Sequence, residues 1–218
     1  MTGHRIGTRQ CSRREWIADA VVHLLGLGFG LGACITLVVF ITLNPDLSRG
    51  VSLALYGLGL LAMLACSALY HMTSHARLKA IFRRFDHAAI FVMIAGTYTP
   101  FSLVVIGGWP GAMLLGFVWS VALAGVVLKL RYPLRFEKLS VLAYLLLGWV
   151  ILAALEPLLS GASLTALILL ITGGALYSLG VVFHLWERLP YQNAIWHVFV
   201  LAAAVCHFVA ILVDVALI

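Results

Sequence analysis

The 218-residue chain is 63% hydrophobic and only 10% charged, with a mean hydropathy of +1.09. A soluble domain carries roughly 25% charged and 45–50% apolar residues, so a water-soluble fold of this length is excluded and one helical bundle in a bilayer is expected. The net charge of +6 does not point to nucleic acid, because the Lys and Arg residues sit in short stretches between apolar runs, where anionic headgroups account for them.

Residues 1–18 form a polar, basic tail without the apolar core and cleavage site of a removable signal. The first apolar run is therefore expected to act as an uncleaved signal anchor. A helix needs about 20 apolar residues to cross a hydrocarbon core of about 30 Å. Seven segments meet that requirement, at 19–43, 51–72, 85–105, 110–130, 137–158, 163–185 and 194–217. The reading is an all-α membrane protein, a seven-transmembrane helical bundle over residues 19–218. Turn chemistry separates the segments: NPDLSRG at 44–50, GGWPG at 107–111, EP at 156–157 and SGAS at 160–163. Connectors this short leave no room for a soluble domain. Pro100, in GTYTP, is expected to kink the third helix.

Charge asymmetry orients the bundle. The tail holds Arg5, Arg9, Arg13 and Arg14; later stretches on the same side hold Arg77, Lys79, Arg83, Arg84, Lys129, Arg131, Arg135, Lys138 and Arg188. Thirteen of the fourteen basic residues thus fall on one side and Arg49 alone on the other. The positive-inside rule predicts a cytoplasmic N-terminus, an outside C-terminus and a multi-pass protein of the cell inner membrane. Trp16, Tyr132, Trp186 and Trp196 lie near the cytoplasmic side, as interfacial aromatics should. Seven-helix rhodopsins and G-protein-coupled receptors have the opposite orientation, and the last segment has no lysine for a retinal Schiff base.

With that topology, scattered polar residues gather at one depth. Asp19 and His23 open helix 1, Ser67 and His71 close helix 2, Asp86 and His87 open helix 3, His184 closes helix 6, and Asn193 and His197 open helix 7. Ionisable residues inside membrane segments cost about 2.5–3.5 kcal/mol each on insertion scales, which makes each a candidate functional group. Zinc suits such a layer. A catalytic zinc takes three protein ligands, often His, and leaves a position to water, whose pKa it lowers to about 7. Asp86 could move the proton and Ser67 could support the ligands.

Each residue also has a plainer role to weigh. Asp86 could be an N-cap, Ser67 a small packing residue, and Asp19 with Glu15 and His23 a polar stripe at a helix start. His75 is expected in solvent, and His4 in the tail carries no information. His207 lies ten residues beyond His197, about 15 Å along a helix, too far to share a metal; it is expected to bond between helices. Glu156 and Asp214 are expected to face water on the outer side. The cysteines (Cys11, Cys34, Cys66, Cys206) form no CxxC pair, so neither a disulfide nor a cysteine zinc site is expected.

Four stretches carry a resemblance: EWIADAVVH (15–23), SALYH (67–71), FDHAAIFVMIAGTYTP (85–100) and NAIWHVFVLAAAVCHF (193–208). In this order they resemble the bacterial hemolysin III family, the prokaryotic branch of the progestin and adipoQ receptors. The group is similar in outline to alkaline ceramidases. The resemblance implies membrane hydrolases with a Ser, an Asp and three His around Zn2+. By position it implies Ser67 behind the ligands, His71 as the ligand from helix 2, Asp86 beside the water, and His197 as the second histidine of an H-x3-H pair in helix 7. The first position of that pair is Asn193 here, a poor zinc ligand. Asp86, His87 or His184 could replace it, or Asn193 itself could complete a weaker site with His71 and His197.

The function expected is zinc-dependent hydrolysis of a lipid amide or ester at the cytoplasmic leaflet, with membrane lipids as partners and no nucleic acid. The alternative is a non-enzymatic sensor or homeostasis protein with a structural metal. A pore-forming toxin ranks below both, since a secreted pore-former must first be soluble, and no inverted repeat suggests a transporter.

Overall fold

The computed structural model describes residues 5–6, 9–10, 12–133 and 135–217; Cys11 and His4 lie outside them. A two-residue antiparallel ladder pairs Arg5–Ile6 with Arg9–Gln10. Beyond it the described residues form seven helices long and apolar enough to span a membrane: Arg13–Leu43, Leu47–Met72, Ala76–Ile106, Gly108–Arg131, Glu137–Gly161, Leu164–Leu185 and Gln192–Ala216. They are called the first to seventh spans. The apolar residues they leave exposed, such as Leu24, Ile35, Leu58, Phe117 and Ile171, make an outer surface suited to lipid.

The helices outrun their hydrophobic segments. The first begins at Arg13 rather than residue 19, because Ser12 and Glu15 build a capping box. The Ser12 hydroxyl accepts from the Glu15 amide at 3.2 Å, and the Glu15 carboxylate accepts from the Ser12 amide at 2.7 Å. At 31 residues this helix is about 46 Å long, well beyond the hydrocarbon thickness. The third span begins at Ala76, so Arg77, Lys79, Arg83 and Arg84 are helical rather than in a connector. Hydropathy registers only what lipid must cover, whereas backbone hydrogen bonding carries a helix into the polar zone.

Two spans change helical type. After Pro100 the third continues as a π-helical stretch, Phe101–Ile106. A proline lacks the amide for an intrahelical bond and its ring crowds the preceding turn, so a change in hydrogen-bond spacing falls naturally there. The fifth span is α-helical over Glu137–Trp149, 3-10 over Val150–Ala154 and α-helical again over Leu155–Gly161. Glu156 and Pro157 thus lie inside a helix instead of ending one. Proline is tolerated in a first turn, where its missing amide has no intrahelical partner, and the chain turns instead at Ala162 and Ser163. Gly107 and Gly108 reverse the chain between the third and fourth spans with φ of 61° and 52°, values that favour glycine.

The second and third spans make the closest approach. A Cβ on Gly59 would lie 3.2 Å from the Val92 carbonyl oxygen, and one on Gly96 would lie 3.1 Å from that of Leu55. Small residues admit such backbone contact where dispersion, not water exclusion, drives packing. The first span also packs against the second and seventh, the third against the fourth, and the sixth against the seventh. The first span's inward stripe, Glu15, Asp19, His23, Gly26, Gly30, Ala33 and Leu37, follows helical periodicity: polar at one end, then small, then apolar. It therefore delivers Asp19 and His23 into the interior beside the second and seventh spans.

At the opposite end, Asp214 is buried at 4% exposure and does not face water as the sequence suggests. Its carboxylate accepts from the Ser163 amide at 2.8 Å and the Ser163 hydroxyl at 2.6 Å, holding the start of the sixth span. The seventh span continues there as a π-helical stretch, Leu212–Ala216, among residues buried in the core. Glu156 and His75 are exposed. His207 faces the sixth span, its Nε2 3.4 Å from the Leu170 carbonyl.

Candidate metal centre

Three spans converge on a buried polar group. Asp19 and His23 come from the first, one helical turn apart; Ser67 and His71 come from the second at the same spacing; Asn193 and His197 come from the seventh. The start of the seventh span is held by Glu15. Its carboxylate accepts from the amide of Tyr191 at 3.0 Å, a residue in the left-handed region with φ 58°. That region is uncommon for an aromatic residue, and it lies two positions before Asn193. The capping box at the start of the first span thus also docks the loop that delivers His197.

Asp19 sits at the middle of the group, 5% exposed. Its Oδ1 is 2.6 Å from His197 Nδ1 and its Oδ2 3.2 Å from His71 Nδ1. Its main-chain carbonyl is 2.8 Å from His23 Nδ1. The three rings crowd together, with centroids 5.1 Å apart for His23 and His71, 4.3 Å for His23 and His197, and 4.5 Å for His71 and His197. The Ser67 hydroxyl lies 3.3 Å from His23 Nε2 and 3.5 Å from His197 Nε2. Asp86 of the third span, 8% exposed, is close enough to this hydroxyl for the two to interact. The third span therefore comes up to the group at Asp86.

The donor set suits a metal. Asp19, His23, His71 and His197 each offer a ligand atom, all within 4.8 Å of one another. Zinc–imidazole bonds of about 2.0–2.1 Å in a tetrahedral site place ring centroids about 5 Å apart, close to the spacings of these three rings. Carboxylate with imidazole also suits other divalent transition metals, so the geometry alone leaves the metal's identity open.

Of the residues singled out from sequence, His71 and His197 meet directly, and Ser67 and Asp86 adjoin them. The Asn193 amide is 3.5 Å from His71 Nδ1, on the ring edge that Asp19 also contacts. His87 and His184 are outside the four-residue group. His87 accepts the Tyr144 hydroxyl at its carbonyl, at 2.8 Å. The His184 ring instead lies 5.0 Å from Trp196. Asp19 and His23, in sequence no more than members of a layer or a polar stripe, are its centre. The signal for them was their i, i+4 spacing on a face that continues through Gly26 and Gly30.

The chain matches the family model described as Haemolysin-III related over residues 13–208. It is 37% identical over 199 residues to Hemolysin-3 of Bacillus cereus, covering 91% of each chain. It is 39% identical over 199 residues to the Hemolysin-3 homolog of Bacillus subtilis (strain 168), covering 91% of this chain and 93% of the relative. The human Monocyte to macrophage differentiation factor is 30% identical over 178 residues, 78% of this chain and 72% of that protein. No solved structure matches. These relatives agree with the resemblance carried by the four sequence stretches.

Proposed function

The chain belongs to the Haemolysin-III related family of multi-pass membrane proteins, and from that premise we propose that it is a zinc-dependent hydrolase of a lipid amide or ester. The observation that carries this reading is the buried Asp–His group of three spans with an acid and a hydroxyl beside it. Bound there, zinc would supply Lewis acidity and a water acidic enough to react at neutral pH. The protein's own residues do the rest. His71 and His197 hold the metal, with Asn193 against the His71 ring. Asp86 takes up the proton at its carboxylate, and Ser67 links it to the imidazoles. Burial of Asp19, His23, Asp86 and His197 keeps bulk water from the group. The distribution of basic residues supports a cytoplasmic N-terminus, which assigns the site to the cytoplasmic leaflet of the inner membrane.

The test is metal content of the protein purified in mild detergent without chelators, with His71→Ala as control, followed by assays on lipid amides and esters. About one zinc per chain, lost in the variant, with hydrolysis lost in Asp86→Asn while metal is retained, is the expected result. Absence of metal from both proteins would end the hydrolase reading.

A second reading has its own support: the group joins the first, second and seventh spans, as a structural metal would. In that case Asp86→Asn leaves metal content and every cellular phenotype unchanged, because no proton moves.

A further inference from the structure

Taking the metal-site reading as its basis, we propose that His23 is the third imidazole ligand, and that Asp19 is a positioning residue holding all three imidazoles by their Nδ1 edges. The argument is a count of protons and lone pairs. Asp19 presents three acceptors to three ring nitrogens: Oδ1 to His197, Oδ2 to His71 and the main-chain carbonyl to His23. A neutral imidazole has one N–H and one lone pair, so hydrogen bonding of each Nδ1–H to Asp19 turns each Nε2 into a bare acceptor. This is the arrangement by which a carboxylate or carbonyl behind a histidine fixes the tautomer of a metal ligand.

The opposite edges of two of the rings meet at one hydroxyl. His23 Nε2 and His197 Nε2 both face the single hydroxyl of Ser67, at 3.3 and 3.5 Å. One hydroxyl proton serves one of those acceptors and leaves the other facing a lone pair. A cation on the Nε2 side would satisfy both nitrogens, and the His71 ring, with its centroid 5.1 Å from that of His23 and 4.5 Å from that of His197, is near enough to join them. His23 thus takes the role that Asn193 is chemically poor at filling. Asn193, with its amide 3.5 Å from His71 Nδ1, lies on the edge of the ring turned toward Asp19.

The experiment titrates Co2+ into metal-free protein in detergent micelles and reads the visible d–d bands, whose intensity and position report ligand number and type, with Zn2+ competition for affinity. Wild type and His71→Ala are compared with His23→Ala, His23→Gln, Asp19→Asn and Asp19→Ala. Monodispersity on gel filtration qualifies each variant, and His23→Gln stands in if the alanine variant aggregates. The expected result is that both His23 variants lose the tetrahedral bands as His71→Ala does. Asp19→Asn, which keeps an acceptor oxygen but turns an amide toward one ring, should retain the wild-type bands with affinity weakened about 10- to 100-fold. Asp19→Ala should weaken it at least as much. Wild-type bands in His23→Gln, or complete loss of bands in Asp19→Asn, would overturn the assignment while leaving a metal site in place. Failure of the wild type to bind Co2+ or Zn2+ would overturn the site itself.

Discussion

Removing one hydroxyl, with Tyr98→Phe, should weaken the bundle by about 1.2 kcal/mol and leave the metal site intact. Tyr98 is a buried residue of the third span. Its hydroxyl bridges the Leu147 and Gly148 carbonyls at 2.9 Å each and accepts from the Ile151 amide at 2.8 Å. Those three groups belong to the stretch where the fifth span changes from α to 3-10 geometry and the regular backbone ladder is interrupted. Phenylalanine keeps the ring packing and deletes only the polar link. Hydrogen bonds in membrane proteins average about 0.6 kcal/mol each, so one donated proton shared by two carbonyls and one accepted bond amount to about 1.2 kcal/mol, or about an 8-fold shift in the unfolding equilibrium. An orphaned buried amide alone costs about 1–3 kcal/mol, which brackets the same figure. The assay is reversible unfolding in mixed micelles on titration with sodium dodecyl sulfate, with metal content measured in parallel. Tyr98 is twelve residues beyond Asp86, about 18 Å along the helix, so metal binding should not change. A stability loss below about 0.5 kcal/mol would refute the claim that this hydroxyl holds the fifth span together.

Ser67→Ala should lower lipid hydrolysis about 10- to 100-fold while retaining metal, since the hydroxyl supports the ligands without being one; loss of bound zinc from a monodisperse variant would assign Ser67 to the metal itself. Gly111→Ala should destabilise the bundle by about 1–3 kcal/mol or prevent its assembly, because the new Cβ would lie 2.1 Å from the Ser102 carbonyl oxygen. The same change at Gly116, which has open space around it, should leave the unfolding midpoint within about 0.5 kcal/mol. A C-terminal alkaline phosphatase fusion should be active and a fusion in the loop after residue 131 inactive; the reverse pattern would invert the membrane orientation proposed from the basic residues.

How the site was and was not legible follows from the range of each interaction. Hydropathy is a property of about 20 consecutive residues, and all seven spans could be counted without knowing how any two touch. The polar layer was equally visible, because alternating direction of travel alone brings the starts of odd spans and the ends of even ones to one side. His71, His197, Ser67 and Asp86 emerged from that depth argument together with the family resemblance. Asp19 could not be ranked above His184 in this way. Both share the layer, but the rotation of each helix about its axis decides which one faces the interior, and packing sets that rotation.

The amino-acid sequence by itself therefore determined a seven-helix membrane bundle, the end of it at which the polar residues gather and its family, because those depend on local composition and order. Only the tertiary structure decided that Asp19 gathers three imidazoles and that Asp214 is buried as a cap on the sixth span. It also decided that the fifth span breaks inside its apolar run and not at Pro157. Each of these depends on a hydrogen bond between residues far apart in the chain, such as Asp19 to His197, Ser163 to Asp214 and Ile151 to Tyr98. In a low-dielectric interior a polar group must find a partner, and which partner it finds is settled only when the helices have packed.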